Sequence, residues 1–142
     1  MKTIEIMTPN PQCVRPDDTL TQAAAQMKNL SVGMLPVCAD ERLVGVLTDR
    51  DIAIRAVAEG LDPNHTPVRQ IMSPHAIYCF ADEDPHAAAI MLESHRVRRL
   101  PVLDRDEQLV GIVSLGDLAV RAHQEELATR VLGRLSAQRE RH

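Results

Sequence analysis

Two short motifs in this chain of 142 residues set a hydroxyl three residues ahead of a carboxylate: Thr48-Asp49-Arg50-Asp51 and Ser114-Leu115-Gly116-Asp117. Each follows a Val-Gly pair and two apolar residues, in Val44-Gly45-Val46-Leu47 and Val110-Gly111-Ile112-Val113. That order reads as a strand running into a helix, with the hydroxyl at the helix start and the carboxylate one turn further on. Unpaired N–H groups and the positive end of the helix dipole favour a phosphate there. A carboxylate offers two acceptor oxygens to hydroxyl groups. The same spacing is that of a helix capping box, in which both side chains satisfy the helix's own first N–H groups. The two readings can coexist, with the free protein using the cap, and the recurrence of the motif in both halves favours a role beyond capping.

These motifs belong to a longer repetition, in which residues 4–55 return at 69–121. The segment IMTPNPQCVRPDDTL returns as IMSPHAIYCFADEDP, and VGMLPVCADERLVGVLTDRDI as VRRLPVLDRDEQLVGIVSLGDL, with one residue inserted in the turn after Leu-Pro-Val. Each copy reads as β-α-β-β-α. Short β-like runs at Gln12–Arg15 and Ile77–Phe80 lead into helices over about 19–30 and 84–95, with acidic and capping residues at their starts. Leu20, Ala24 and Met27 are expected inward on the first, and Ala88 or Ala89, Met91 and Leu92 on the second. Apolar runs at 34–38 and 43–47, then 100–103 and 109–113, are joined by polar turns and form antiparallel pairs. Second helices follow at Asp49–Glu59, stopped by Gly60, and at 115–123. The expected organisation is therefore repeat 1 over 1–60, a turn-rich linker over 61–67, repeat 2 over 68–123, and a tail over 124–142. In the tail, Leu127, Val131 and Leu135 stand at helical spacing. Repeated units seldom bury their apolar faces alone, and clefts between such units are where small-molecule sites tend to lie.

Bulk composition excludes several function classes. The net charge of −4 includes no long basic run calling for nucleic acid or an anionic membrane surface. Met1–Ile6 carries Lys2 and Glu5 and opens no apolar secretory segment. No apolar run approaches the roughly 20 residues that span a bilayer. A soluble cytoplasmic protein is expected. Tyr78 and Phe80 are the only aromatic residues, so the core must be aliphatic and any bound base would rest mainly on aliphatic side chains. The cysteines at 13, 38 and 79 show no zinc-ligand spacing. There is no Ser/His/Asp arrangement, Gly-rich phosphate loop or HExxH. No catalysis, no metal and no required cofactor are expected.

With Met7-Thr8-Pro9, Leu35-Pro36-Val37 and Val44 to Asp51 in the first copy, and Met72-Ser73-Pro74, Leu100-Pro101-Val102 and Val110 to Asp117 in the second, the chain resembles tandem CBS domains. These are regulatory modules of the cystathionine-β-synthase type. LTDRDI followed by GLDPN is similar to small stand-alone bacterial CBS-pair proteins, including the mycobacterial hypoxic-response type. The resemblance covers nearly all of the chain up to about residue 123. It implies an α/β (α+β) fold of two pseudo-symmetric repeats forming one CBS pair, here with a C-terminal helix. It also implies a cleft that takes an adenosine-bearing ligand: AMP, ADP, ATP, S-adenosylmethionine or NADH.

Carried onto this sequence, the resemblance places Gln12, Cys13, Ile77 and Tyr78 on the runs that line the base. Val32 and Val97 suit the base's other face. Asp51 and Asp117 would accept the ribose hydroxyls, while Thr48 and Ser114 start helices that favour phosphate. Arg98 and Arg99 could pair with phosphate oxygens. The first copy lacks both arginines and the second lacks Arg50, with Gly116 in its place, so the two halves are chemically unequal.

Other readings are a partner-binding scaffold without ligand and, last, nucleic-acid binding through the tail. There Arg121, Arg130, Arg134, Arg139 and Arg141 outnumber Glu125, Glu126 and Glu140, but aromatics for stacking are lacking. The family also implies a homodimer, with Ile52, Ala53, Ala56, Val57, Leu118, Ala119 and Ala122 of the second helices supplying its seam. In the CBS fold the first two strands of a repeat lie side by side, which makes Cys13 and Cys38 a candidate redox pair. The opposing expectation is two reduced core thiols.

Overall fold

A computed structural model of the chain describes residues 1–121 and 130–135. A short 3-10 turn (Thr3–Glu5) precedes β1 (Thr8–Pro9), α1 (Leu20–Leu30), β2 (Met34–Ala39), β3 (Arg42–Thr48) and α2 (Asp49–Asp51), which passes into a π-helical stretch, Ile52–Val57. Then come α3 (Val68–Ile71), β4 (Cys79–Phe80), α4 (Pro85–His95), β5 (Arg99–Leu103), β6 (Leu109–Ser114) and α5 (Leu115–Arg121). Helices and strands thus alternate as a mixed α/β fold. The elements gather into two compact units, one of Gln12–Ala76 and one of Met1–Pro11 with the chain from Ile77 on. These units are cut differently from the sequence repeats, because the strand Thr8–Pro9 belongs to the unit that holds the second repeat.

In the Gln12–Ala76 unit, α1 starts where Thr19 Oγ1 accepts from the Gln22 N–H at 3.2 Å and Gln22 Oε1 accepts from the Thr19 N–H at 2.8 Å. It ends at Ser31, whose φ of 55° is left-handed. Leu20, Ala23 and Met27 face the core. Ala24 was expected inward but is exposed; at 100° per residue it lies roughly 70° off the centre of that stripe. β2 and β3 pair antiparallel from Met34↔Thr48 to Ala39↔Arg42. Asp40 and Glu41 between them both have positive φ, as a two-residue hairpin turn requires. The first β-like run reduces to a single parallel bridge, Val14↔Val37. Pro16 carries no N–H to extend it, and the Arg15 N–H goes to Asp18 Oδ2 at 2.8 Å. The second helix also departs from expectation: after Asp51 it widens into the π-helical stretch before Gly60, at φ 73°, stops it.

The unit that includes Ile77 onward has a four-stranded sheet in the order β1-β6-β5-β4. β4 runs parallel to β5, and β5 antiparallel to β6. Ala88, Ala89 and Leu92 of α4 pack with Leu100, Val102, Val113 and Leu118, and Met91 is only partly buried against them. Residues 130–135 are helical and bury Val131 and Leu135 in this same core. Glu93 of α4 receives Arg130 at 2.6 Å and Arg134 at 3.2 Å. This part of the tail therefore packs on its own module. Leu127 lies outside the described residues, as do Arg139 and Arg141 of the basic count.

Both units are closed in the same way. Ser73 pairs with Val46 of β3 through two backbone bonds of 3.0 and 2.9 Å, while Thr8 and Pro9 pair with Ile112 and Gly111 of β6. A Cβ added to Gly45 would lie 2.6 Å from the Ser73 carbonyl oxygen. One added to Gly111 would fall on Met7 Sδ and 3.0 Å from the Thr8 oxygen. The Val-Gly pair is thus required by close backbone approach. Thr3 and Thr66, the buried polar residues among those described, anchor the same segments, donating to the carbonyls of Glu83 at 2.9 Å and Asp62 at 2.7 Å.

Gly45→Ala should destabilise the protein by about 1–3 kcal/mol through overpacking. Gly111→Ala should cost less, since the Met7 thioether can swing aside. Gly133→Ala meets open space, so it should be neutral or stabilising by roughly 0.5–1 kcal/mol. Urea denaturation midpoints of the three variants give this order directly.

Candidate functional site

At the end of β3, Thr48 leaves the strand with φ −113° and ψ 160°. Its Oγ1 accepts from the Asp51 N–H and Asp51 Oδ2 accepts from the Thr48 N–H, both at 3.0 Å. The capping box expected from sequence is formed. It uses one carboxylate oxygen; Asp51 Oδ1 makes no hydrogen bond among the described residues. The Asp49 N–H donates to the Gly33 carbonyl at 2.9 Å, and a Cβ on Gly33 would sit 3.0 Å from Asp49 Oδ2. This fixes the helix start against the turn that carries Val32, whose own N–H is bound to Met27 O at 3.0 Å.

Gln12 and Cys13 join the same corner by register. Val14 runs parallel to Val37, so the two residues before it lie beside the N-terminal half of β2. Met34 at that end faces Thr48. The unit therefore gathers Gln12, Cys13, Val32, Thr48 and Asp51 at one end of its strands, with Gln12, Cys13 and Arg50 exposed and Val32, Thr48 and Asp51 half-buried.

The other unit repeats the arrangement. Ser114 Oγ accepts from the Asp117 N–H at 3.1 Å, and Asp117 Oδ2 accepts from the Ser114 N–H at 2.9 Å. The Leu115 N–H donates to Arg98 O at 3.1 Å, and the Val97 N–H to Leu92 O at 3.1 Å. Arg99 faces Ser114 across the ladder, and Cys79↔Val102 brings Ile77 and Tyr78 to the same end. Tyr78 stands edge-on to Phe80 with centroids 5.5 Å apart. Arg105 covers Phe80 at 4.0 Å and binds Asp82 at 2.8 Å. Arg98 and Arg99 are both exposed; as neighbours at a strand entry they leave on opposite faces.

The two halves differ in how they neutralise the carboxylate. Arg121 Nη1 lies 3.9 Å from Asp117 Oδ1 and also donates to the carbonyls of Ile6 at 3.3 Å and Met7 at 3.2 Å. In sequence Arg121 falls among the basic residues toward the tail; its i,i+4 spacing from Asp117 is the signal for this ion pair. Arg55 is the equivalent residue in the first repeat, yet it makes no ion pair among the described residues. Arg55 lies in the π-helical stretch, whereas Arg121 lies in α5. Arg50, Arg98 and Arg99 likewise make no ion pair among the described residues. Burial pushes the Cys38 thiol up to about 12, with the adjacent Cys13 thiol adding to the rise. No group of three or more His, Cys, Asp or Glu is placed to hold a metal ion among the described residues. No helix among them is long and apolar enough to cross a membrane.

The sequence profile of the CBS domain matches residues 4–57 and 68–123. The CBS domain-containing protein YhcV of Bacillus subtilis is 40% identical over 134 residues, 94% of each chain. Hypoxic response protein 1 of Mycobacterium tuberculosis is 40% identical over 116 residues, 81% of this chain and 80% of its own. The crystal structure of Hypoxic Response Protein I with two coordinated zinc ions superposes with a TM-score of 0.79 at 38% identity, covering 85% of this chain and 98% of that one. A CBS domain protein from Pyrobaculum aerophilum complexed with AMP superposes with a TM-score of 0.75 at 31% identity, covering 91% of this chain and 99% of that one.

Whatever they bind, the caps hold the helix starts in place. Thr48→Ala and Ser114→Ala should each cost about 1 kcal/mol of stability, and Thr48→Ser and Ser114→Thr should restore it. Chemical denaturation of the four variants checks this.

Proposed function

Because the chain belongs to the CBS-domain family, we propose that it is a regulatory, non-catalytic and cytoplasmic sensor of adenosine-containing nucleotides. One observation carries the reading. Each unit independently assembles the same constellation: a hydroxyl-and-carboxylate helix start, a half-buried valine beside it, and the first run of the repeat at the same strand end. The AMP complex of the Pyrobaculum relative supports the ligand class. In this reading Asp51 and Asp117 accept ribose hydroxyls, using the carboxylate oxygen that the cap leaves over. Thr48, Ser114 and the helix N–H groups face phosphate, with Arg50, Arg98 and Arg99 supplying positive charge. Gln12, Cys13, Ile77 and Tyr78 border the base, and Val32 and Val97 give it an apolar face. Loss of ligand affinity with the fold intact would leave the scaffold reading.

A thermal-shift panel of AMP, ADP, ATP, S-adenosylmethionine and NADH tests this. A ligand that binds only the folded state adds roughly 2.7 kcal/mol at a hundred-fold excess over Kd, a plain shift in Tm. Asp51→Asn or Asp117→Asn keeps an acceptor for the cap but removes the charge. Affinity should fall at least tenfold in one of them, since hydrogen bonds to charged groups are worth about 1.5–3 kcal/mol. No shift with any of the five at millimolar concentration defeats the sensor.

The same reading includes a homodimer through the second helices, and the structure changes which residues would form its seam. Leu118 is fully buried in its own unit and Ala56 is 1% exposed, so neither is available. Val57, already among the expected seam residues, is 65% exposed, and Ile54 and Val120, at 52 and 77%, extend the apolar surface. Light scattering at micromolar concentration should give twice the chain mass. Ile54→Glu with Val57→Glu should return it to the mass of a single chain without loss of helical circular dichroism.

A further inference from the structure

We propose that Arg121 is a clasp tying the N-terminal segment to Asp117, so that a ligand taking up the free oxygen of that carboxylate loosens Ile6–Pro9 from the edge of β6. The clasp stands on contacts within one unit, that of Met1–Pro11 and the chain from Ile77 on. Its control by a nucleotide rests on the ribose reading of Asp117.

The segment is held firmly at its start and less firmly further along. The Thr3 N–H and hydroxyl donate to the Glu83 carbonyl at 2.8 and 2.9 Å, and the Ile4 N–H to the Ala81 carbonyl at 3.0 Å. Ile6 and Met7 bury their side chains in the core. β1 then offers only Thr8 and Pro9 to β6, and a proline adds no N–H to that ladder. Between the firm start and the short ladder, Arg121 Nη1 donates to the carbonyls of Ile6 at 3.3 Å and Met7 at 3.2 Å. The same nitrogen lies 3.9 Å from Asp117 Oδ1.

Asp117 uses Oδ2 to accept from the Ser114 N–H at 2.9 Å. The oxygen facing Arg121 is therefore the one the cap leaves over, and the one that ribose hydroxyls would take. Hydroxyls bound there draw on the same negative charge that steers the guanidinium over the two carbonyls. The Arg121 side chain is 51% exposed, so solvent damps the ion pair and the expected effect is a local opening of the segment, not unfolding. The other unit is tied differently. Ser73 is held to Val46 by two backbone bonds, and Arg55, four residues after Asp51, makes no ion pair among the described residues.

The test reads amide hydrogen exchange of the full chain, residue by residue, by two-dimensional NMR. Without ligand, Asp117→Asn keeps an acceptor for the cap and should speed exchange at Ile6 and Met7 by about three- to tenfold, the worth of one modest hydrogen bond. Val97 and Ser73 should keep their wild-type rates. Arg121→Gln should do the same, and adding Asp117→Asn to it should bring no further gain, the sign that both act through one contact. AMP, at concentrations that move the Ser114 and Asp117 amide resonances, should speed exchange at Ile6 and Met7 in the natural chain and leave it unaltered in Arg121→Gln. Unchanged exchange at Ile6 and Met7 in Asp117→Asn, or an equal gain with and without Arg121, would overturn the proposal. So would AMP moving the Ser114 and Asp117 resonances with no change at Ile6 and Met7. If AMP leaves those resonances in place while the variants behave as expected, the nucleotide reading of this half fails and the clasp stands.

Discussion

Backbone laid against glycine holds each unit together. Ser73 pairs with Val46 across from Gly45, and Met7–Pro9 lies over Gly111. A side chain at Gly45 would push Ser73 off the strand, and one at Gly111 would displace the Met7 thioether; the strands concerned are the ones that end in Thr48 and Ser114. The hydroxyl–carboxylate helix starts are consequently placed by a contact several residues upstream of them. A strand edge left unpaired there would expose backbone polar groups at the rim of an otherwise aliphatic core, where an unmade hydrogen bond costs about 1–3 kcal/mol. The Met-(T/S)-Pro segment satisfies that edge and then ends pairing, since proline has no further N–H to offer.

This explains why the repeat was legible in sequence while the unit boundaries were not. The apolar runs through Leu35–Val37 and Leu100–Val102, and the polar turns after them, gave the hairpins because these strand segments are buried throughout. The capping boxes were legible for the same local reason, since their partners lie three residues apart. Which unit receives Met7-Thr8-Pro9 is a long-range choice, and no periodicity encodes it. The helical faces fall between these cases. Leu20 and Met27 were placed correctly, but Ala23 and Ala24 are chemically identical, and only the packing distinguishes them. The π-helical stretch was invisible because Ile52–Val57 reads as an ordinary apolar helix; a widened turn is set by what its side chains meet, not by their types.

The capping reading of the (T/S)-x-x-D motif holds in the folded chain, and it constrains any ligand role. A carboxylate that caps its own helix has its charge spread over backbone N–H groups, and is held in one rotamer before any ligand arrives. The entropy of ordering it is then already spent in folding, which is how a preorganised group contributes more on binding. What distinguishes the halves is the second oxygen. Asp117 shares it with Arg121 at 3.9 Å, and that arginine is itself tied to the Ile6 and Met7 carbonyls. Among the described residues Asp51 has no such neighbour. The first half therefore presents a carboxylate with less competition, and the second presents more positive charge, through Arg98 and Arg99.

The same asymmetry bears on how the chain would transmit a signal. A ligand shifts an equilibrium only by its differential affinity for two arrangements, so something in the site must be tied to something outside it. Arg121 is such a tie in the second repeat's unit, because one guanidinium reaches both the Asp117 carboxylate and the N-terminal segment that closes the sheet. Removing charge from Asp117 changes the pull on Arg121 and hence on the Met7–Pro9 segment. In the first repeat's unit the corresponding connection runs through backbone instead: the Asp49 N–H to the Gly33 carbonyl, and from there into β2. One half is linked to its surroundings by an ion pair that salt can screen, the other by hydrogen bonds that salt leaves largely alone.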